Sequence, residues 1–222
     1  MSMKRQGFTL GEVVITMATI GVIVALTLPL LLGDIAAKHR MVKLQNTIGD
    51  LSNAIQTYMI NKRINHLADN PEDLDFRNLL NCKCDNKEKK CVEIDEYAHK
   101  NMDGGSASLP INAGFHEDIL VLDNGVIISR RPNASLYNIF IDINGQEPPN
   151  TVGLDAFVVN VYFEDQRDSD DNITAHAGEI VGYLSTENKT DATLKTECKG
   201  GNGLACYTLA EKNGFDPDYI NK

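Results

Sequence analysis

From Val13 to Leu32 the chain runs for twenty residues without a charged side chain, and no other stretch limits its possible folds as much. Only three hydroxyl side chains, on Thr16, Thr19 and Thr27, interrupt it. Twenty helical residues rise about 30 Å, the thickness of a bilayer's hydrocarbon core. The seven residues at the start, MSMKRQG, are polar and basic, a flank that holds the N-terminus in the cytoplasm and sends the rest outward. Lys38, His39, Arg40 and Lys43 on the far side weaken that asymmetry. A cleaved signal peptide needs small residues beyond its apolar run, and the GDIAAKHR after Leu32 offers no good A-x-A. A plain anchor leaves one residue unexplained. Glu12 stands at the mouth of the apolar run, where a carboxylate entering hydrocarbon is costly and marks a function or a partner.

The residues Gly7-Phe8-Thr9-Leu10-Gly11-Glu12 resemble the processing site of the type IV prepilin family, which includes the pseudopilins of type II secretion systems. The resemblance implies cleavage by a prepilin peptidase between Gly7 and Phe8, N-methylation of Phe8, and an assembly role for Glu12. In a filament the Glu12 carboxylate would meet the ammonium group on Phe8 of a neighbouring subunit, so each charge gains a partner in low dielectric. Gly21 and Pro29 lie where pilin helices loosen or kink, while Gly11 departs from the larger aliphatic residue usual in the family. The match is specific over residues 4–32.

Helical periodicity continues past the apolar run. Ala37, Met41, Leu44, Ile48, Leu51, Ile55 and Tyr58 follow alternating steps of four and three, one stripe that reads as core packing. A helix over residues 8–62 would be about 80 Å long at 1.5 Å per residue, its first half spanning the membrane through residues 13–32. Beyond it, Asn70-Pro71-Glu72 and the Cys82–Cys91 stretch read as connecting structure, with a short helix within Asp73–Leu80. Ile119–Leu122 and Val126–Ser129 flank Asp123-Asn124-Gly125, a hairpin signal, and Leu136–Ile143 and Leu154–Glu164 alternate polar with apolar. Glu179–Leu184 is a weaker strand. The expected fold is α+β: a leader over 1–7, the long helix over 8–62, and an extracytoplasmic head over 63–222 in which that helix packs on a small antiparallel sheet.

Five cysteines fall in two groups. Outside the cytoplasmic membrane, oxidation is expected. Cys198 and Cys206 enclose the glycine-rich KGGNGLA, a loop easily closed by a disulfide. Cys91 pairs with Cys82 or with Cys84, and sequence does not choose. The spacing of these three differs from a zinc knuckle. Asp168, Asp170, Asn172, Thr174, His176 and Glu179 fall at the ligand positions of a calcium loop, although Ile173 replaces the glycine that such a loop turns on. The plainer reading is a solvated acidic loop; calcium is the one cofactor the sequence admits. Asp142-Ile-Asn144-Gly145 through Asn150-Thr151-Val152-Gly153-Leu154-Asp155 resembles a stretch in the heads of many prepilin-like proteins. Turn chemistry accounts for it, with Asp142 and Asp155 as a metal pair the lesser reading.

The formal net charge is −10, and without Lys4 and Arg5 of the leader it becomes −12. This balance opposes the phosphate-neutralising surface that nucleic acid demands. The five histidines are scattered and none has a nucleophile context, so no enzyme is expected. The resemblance therefore implies a structural subunit of a pilus or pseudopilus, a minor pilin or pseudopilin. It would sit in the bacterial inner membrane with its head in the periplasm or outside. Its partners would be itself or other pilins, the prepilin peptidase and an inner-membrane assembly platform. The alternatives are a membrane-tethered module binding calcium or a protein ligand, and a DNA-uptake minor pilin.

Overall fold

The structure is a computed structural model and describes residues 9–69, 74–85, 92, 99–107, 119–133, 135–184 and 189–221. The chain divides into two compact units, Met1–His39 and Arg40–Lys222. A single helix, α1 (Leu10–Lys62), begins in the first and continues into the second.

In the first unit α1 is the one regular element among the described residues, and its apolar side chains lie open. Leu26 is 71% exposed and Met17 70%, values that only an apolar surround would make inexpensive. The three threonines of this stretch turn their hydroxyls back onto the helix. Thr16 donates to the Val13 carbonyl, Thr19 to Thr16 and Thr27 to Ile23, each at 2.9 Å. No hydroxyl needs water to satisfy it, as hydrocarbon requires. The helix is continuous through Gly21 and Pro29, and at Pro29 it forgoes one amide donor.

In the second unit the stripe read from the sequence enters a core. Leu44, Leu51 and Ile55 are fully buried and Met41 and Tyr58 nearly so, all in one cluster with the strands. Thr47, off the stripe, is buried too and satisfies its hydroxyl on the Lys43 carbonyl at 2.8 Å. The helix stops where Arg63 takes a left-handed φ of 56°.

The sheet has six strands in the order β1-β2-β3-β4-β5-β8, every pair antiparallel. These are β1 (Cys82–Asp85), β2 (Ile119–Leu122), β3 (Ile127–Pro132), β4 (Leu136–Asp142), β5 (Ala156–Tyr162) and β8 (Ile180–Val181). A separate ribbon pairs β6 (Gln166–Arg167) with β7 (Ile173–Ala175). The β2–β3 hairpin closes on Asp123-Asn124-Gly125 as expected: Gly125 has φ 81°, and Asn124 accepts the Val126 amide at 3.0 Å. The fold is thus a long N-terminal helix with an antiparallel sheet, α+β.

Three local expectations are corrected. The Cys82–Cys84 region, read as connection, includes edge strand β1. The region around KGGNGLA, read as a loop, holds the end of one helix and the start of another, α2 (Asp191–Lys199) and α3 (Gly203–Lys212). Their caps were legible: Thr190 accepts the Thr193 amide, and Asn202 accepts those of Leu204 and Ala205. The glycines around them suggested a loop instead. Gly203, in the first turn of α3, lets that helix approach the sheet; a Cβ there would meet Val158 at 2.9 Å. Finally, β5 is buried at every position rather than on one face, because α3 packs against it. Its polar residue Asn160 is satisfied by the Asn138 side-chain amide at 2.7 Å. The expected short helix before Leu80 is one 3-10 turn, Phe76–Asn78, capped by Asp75.

Candidate functional site

Gly7 and Phe8 lie outside the described residues, which begin at Thr9. From there the geometry is specific. Glu12 accepts both the Thr9 amide and the Thr9 hydroxyl at 2.8 Å, while the Glu12 amide reaches back to Thr9 Oγ1 at 3.3 Å. This is a reciprocal capping box, Thr-x-x-Glu, which satisfies two amides that a helix N-terminus otherwise leaves open. The motif stood in the sequence; attention to Glu12 as an assembly residue hid its local partner. A helix about to enter apolar surroundings gains twice from the box. Its free amides are covered, and the carboxylate sits at the positive end of the helix dipole.

The acidic loop between β6 and β7 spends its carboxylates on its own backbone. Asp168 accepts the Asp170 and Asn172 amides at 2.9 Å and the Asn172 side-chain amide, which hold its pKa below the usual carboxylate range. Glu179 accepts the His176 amide at 2.8 Å, and Arg167 donates to the Asp171 carbonyl at 2.8 Å. Among the described residues no three His, Cys, Asp or Glu side chains come together as a metal site. Asp168, Asp170 and Asn172 lie in the turn between β6 and β7, with Asp171 in the left-handed region at φ 67°, and Glu179 lies beyond β7, before β8.

A disulfide joins Cys198 near the end of α2 to Cys206 in α3. In the first cysteine group Cys84 is disulfide-bonded and Cys82 keeps its thiol; Cys91 lies outside the described residues. Of the two cysteines left open as the partner of Cys91, Cys84 is the one in a disulfide, which corrects the placing of Cys82 in one. An irregularity in β1 explains why two cysteines at i and i+2 differ. Cys82 is opposite Leu122, whose side chain is buried, while Cys84 is opposite Val121 on the other face. Cys82 packs against the core.

The 142–155 segment becomes a buried polar cluster. Asp142, at the end of β4, is fully buried; it accepts the amides of Asn144 (3.1 Å) and Gly145 (2.9 Å) and shares a hydrogen bond with His99 Nε2 at 2.8 Å. His99 is itself 3% exposed and stacks edge-on against Phe140. Asp155 is fully buried; its Oδ1 accepts the Thr151 amide at 2.6 Å, and its Oδ2 has no hydrogen-bond partner. Burial, and then the charge of Asp142, push the Asp155 pKa from the ordinary 3.8 up to about 6. The segment's turn residues each have a task. Gly145 has φ 70° and would bring a Cβ within 2.7 Å of the Gly125 carbonyl. Gly153, at φ 86°, rests on the disulfide: a Cβ there would meet Cys206 Sγ at 2.7 Å. Its carbonyl accepts the Tyr219 hydroxyl at 2.5 Å.

Sequence reasoning found Asp142 and Asp155 and missed His99. It lies 43 residues from Asp142 with no local pattern around it, so only the tertiary structure could bring the two together. Among the described residues, the cavities lined by Asp50, Tyr183 or Gln56 and their neighbours include none of His99, Asp142 and Asp155. No family model, curated protein or solved structure matches the chain.

Proposed function

We propose that the chain is a structural subunit of a type IV pilus-like filament, a secretion pseudopilin or a minor pilin. It would be cut after Gly7 and methylated on Phe8. The observation that supports this best is one helix with two apolar regimes. Its N-terminal stretch passes as long and apolar enough to cross a membrane, and it lies open on all sides. Its later stretch, Met41 to Tyr58, buries one stripe in the head. A subunit that waits in lipid and is then drawn into a filament core needs both. The anchor must be transferable from lipid to neighbouring helices, while the head stays folded throughout. Processing residues GFTLGE stand directly before that anchor.

The head supports the reading by what it is built for. Asp168 and Glu179 bond backbone amides of their own turns, and the Cys198–Cys206 disulfide suits an oxidising compartment. Mass spectrometry of the mature chain purified from membranes tests the proposal. The expected N-terminal residue is N-methyl-Phe8; an N-terminus at Met1, or cleavage after Leu32, would overturn it.

A further inference from the structure

Two carboxylates and an imidazole lie together in the head with almost no access to water, and an ionised pair of carboxylates there would be unstable without protons or counter-charges. The hydrogen bonds distribute the charge unequally. Asp142 Oδ1 accepts two amides and its Oδ2 lies 2.8 Å from His99 Nε2. Asp155 has Oδ1 on the Thr151 amide, with the Asn150 amide and His99 also favouring its charge, while Oδ2 makes no hydrogen bond, which is where a proton would sit. Between them runs a loop that is stitched to a second segment. Lys100 donates its amide to the Asn150 carbonyl at 2.8 Å, and Val152 donates to the Lys100 carbonyl at 2.9 Å. The Ile143 amide closes the base of the loop on the Asp155 carbonyl at 2.8 Å.

We propose that His99, Asp142 and Asp155 form a proton-operated latch, which holds the 142–155 loop on the 99–107 segment while Asp155 is protonated and releases it when that proton leaves. The acid is oxidised by nothing and bonded to nothing new; a single proton passes to water. Other charged groups around the cluster do not substitute for it. Lys43, on α1, lies in the field of Asp142 and of Glu147 in the loop, and its own pKa is lowered chiefly by desolvation. Lys100 is exposed where its backbone meets the loop. Ionised Asp155 would face Asp142 inside the protein, and opening the loop to water is the available relief.

The direction with pH follows. The closed loop binds its proton with a pKa of about 6, and an opened loop would return Asp155 toward 3.8. Closure is therefore fully supported below about pH 4, and the support is lost as pH rises through 6, by up to about a hundredfold in the closed-to-open ratio. The latch does not rest on the filament reading; it is a property of the head.

Hydrogen exchange on the full-length chain in detergent micelles tests it. After correction for intrinsic rates, protection of the Thr151 and Val152 amides should fall more than tenfold between pH 4.5 and 7.5, roughly as the linkage requires. Val159 in the middle of β5 should not change. In Asp155→Asn, whose amide oxygen can still accept from Thr151 without carrying charge, the protection should be independent of pH. An Asn variant with the native pH profile would overturn the proposal. Should that variant fail to fold, the 13C carboxyl resonance of Asp155 in the unaltered chain decides: a midpoint near 6 supports the latch, and one near 3.8 overturns it.

Discussion

The two stretches of α1 differ both in how much apolar surface they carry and in where they carry it. From Val13 to Leu32 the apolar residues cover the whole circumference, and their side chains find no partner within the described chain. From Met41 to Tyr58 the apolar residues keep to one side, and Leu44, Leu51 and Ile55 are fully buried against the sheet. The difference teaches that the surroundings of a helix are written in the angular distribution of its polar residues as well as in its hydrophobicity. A stripe needs a protein core. A full circumference needs lipid or a ring of other helices.

The comparison breaks most readily in the core. Leu51→Ala should lower the stability of the head by about 2–5 kcal/mol, as deletion of a fully buried leucine does. Leu26→Ala should leave head unfolding by denaturant unchanged to within about 0.5 kcal/mol. Equal effects at the two sites would mean that the first stretch packs on the head after all. A smaller effect is expected from a charge. Val24→Lys should weaken membrane insertion by about 2.5–3.5 kcal/mol and move chain out of the membrane fraction, whereas Gln56→Lys on the exposed face beyond the span should not. If Val24→Lys fractionates like the unaltered chain, residues 13–32 do not span.

The smallest expected effect sharpens the role of Glu12. Thr9→Ala removes the cap and should cost about 1 kcal/mol of helix N-terminal stability. Glu12→Gln keeps a side chain that can complete the box but loses the charge. Under the proposed function Glu12→Gln should insert normally and fail to form filaments, observed by electron microscopy of sheared cells. Filaments at ordinary yield would assign Glu12 to capping alone.

Much of this was legible beforehand, for reasons that are local. The stripe on α1, the Asn-Gly hairpin, the strands over 119–122 and 136–143 and the Cys198–Cys206 closure all depend on residues near one another in the chain. The C-terminal helices were missed although Thr190 and Asn202 announced their starts. Glycines at 200, 201 and 203 look like loop until Val158 is seen to occupy the space a side chain would need. The cysteine partner in the first group depended on an irregularity in β1, which no pattern in the residues displays.

The sequence by itself determined the apolar span, the amphipathic stretch that follows, and the turn chemistry of Asp142, Gly145 and Gly153. Each follows from a side chain's own preference or from a helical or strand period. Only the tertiary structure decided that β5 is buried on both faces, that Cys82 keeps its thiol, and that His99 meets Asp142 with Asp155 beside them. Those outcomes depend on which surfaces exclude water. Burial is a property of the whole packed chain, and it is burial that turned a loop aspartate into an acid that holds its proton to about pH 6.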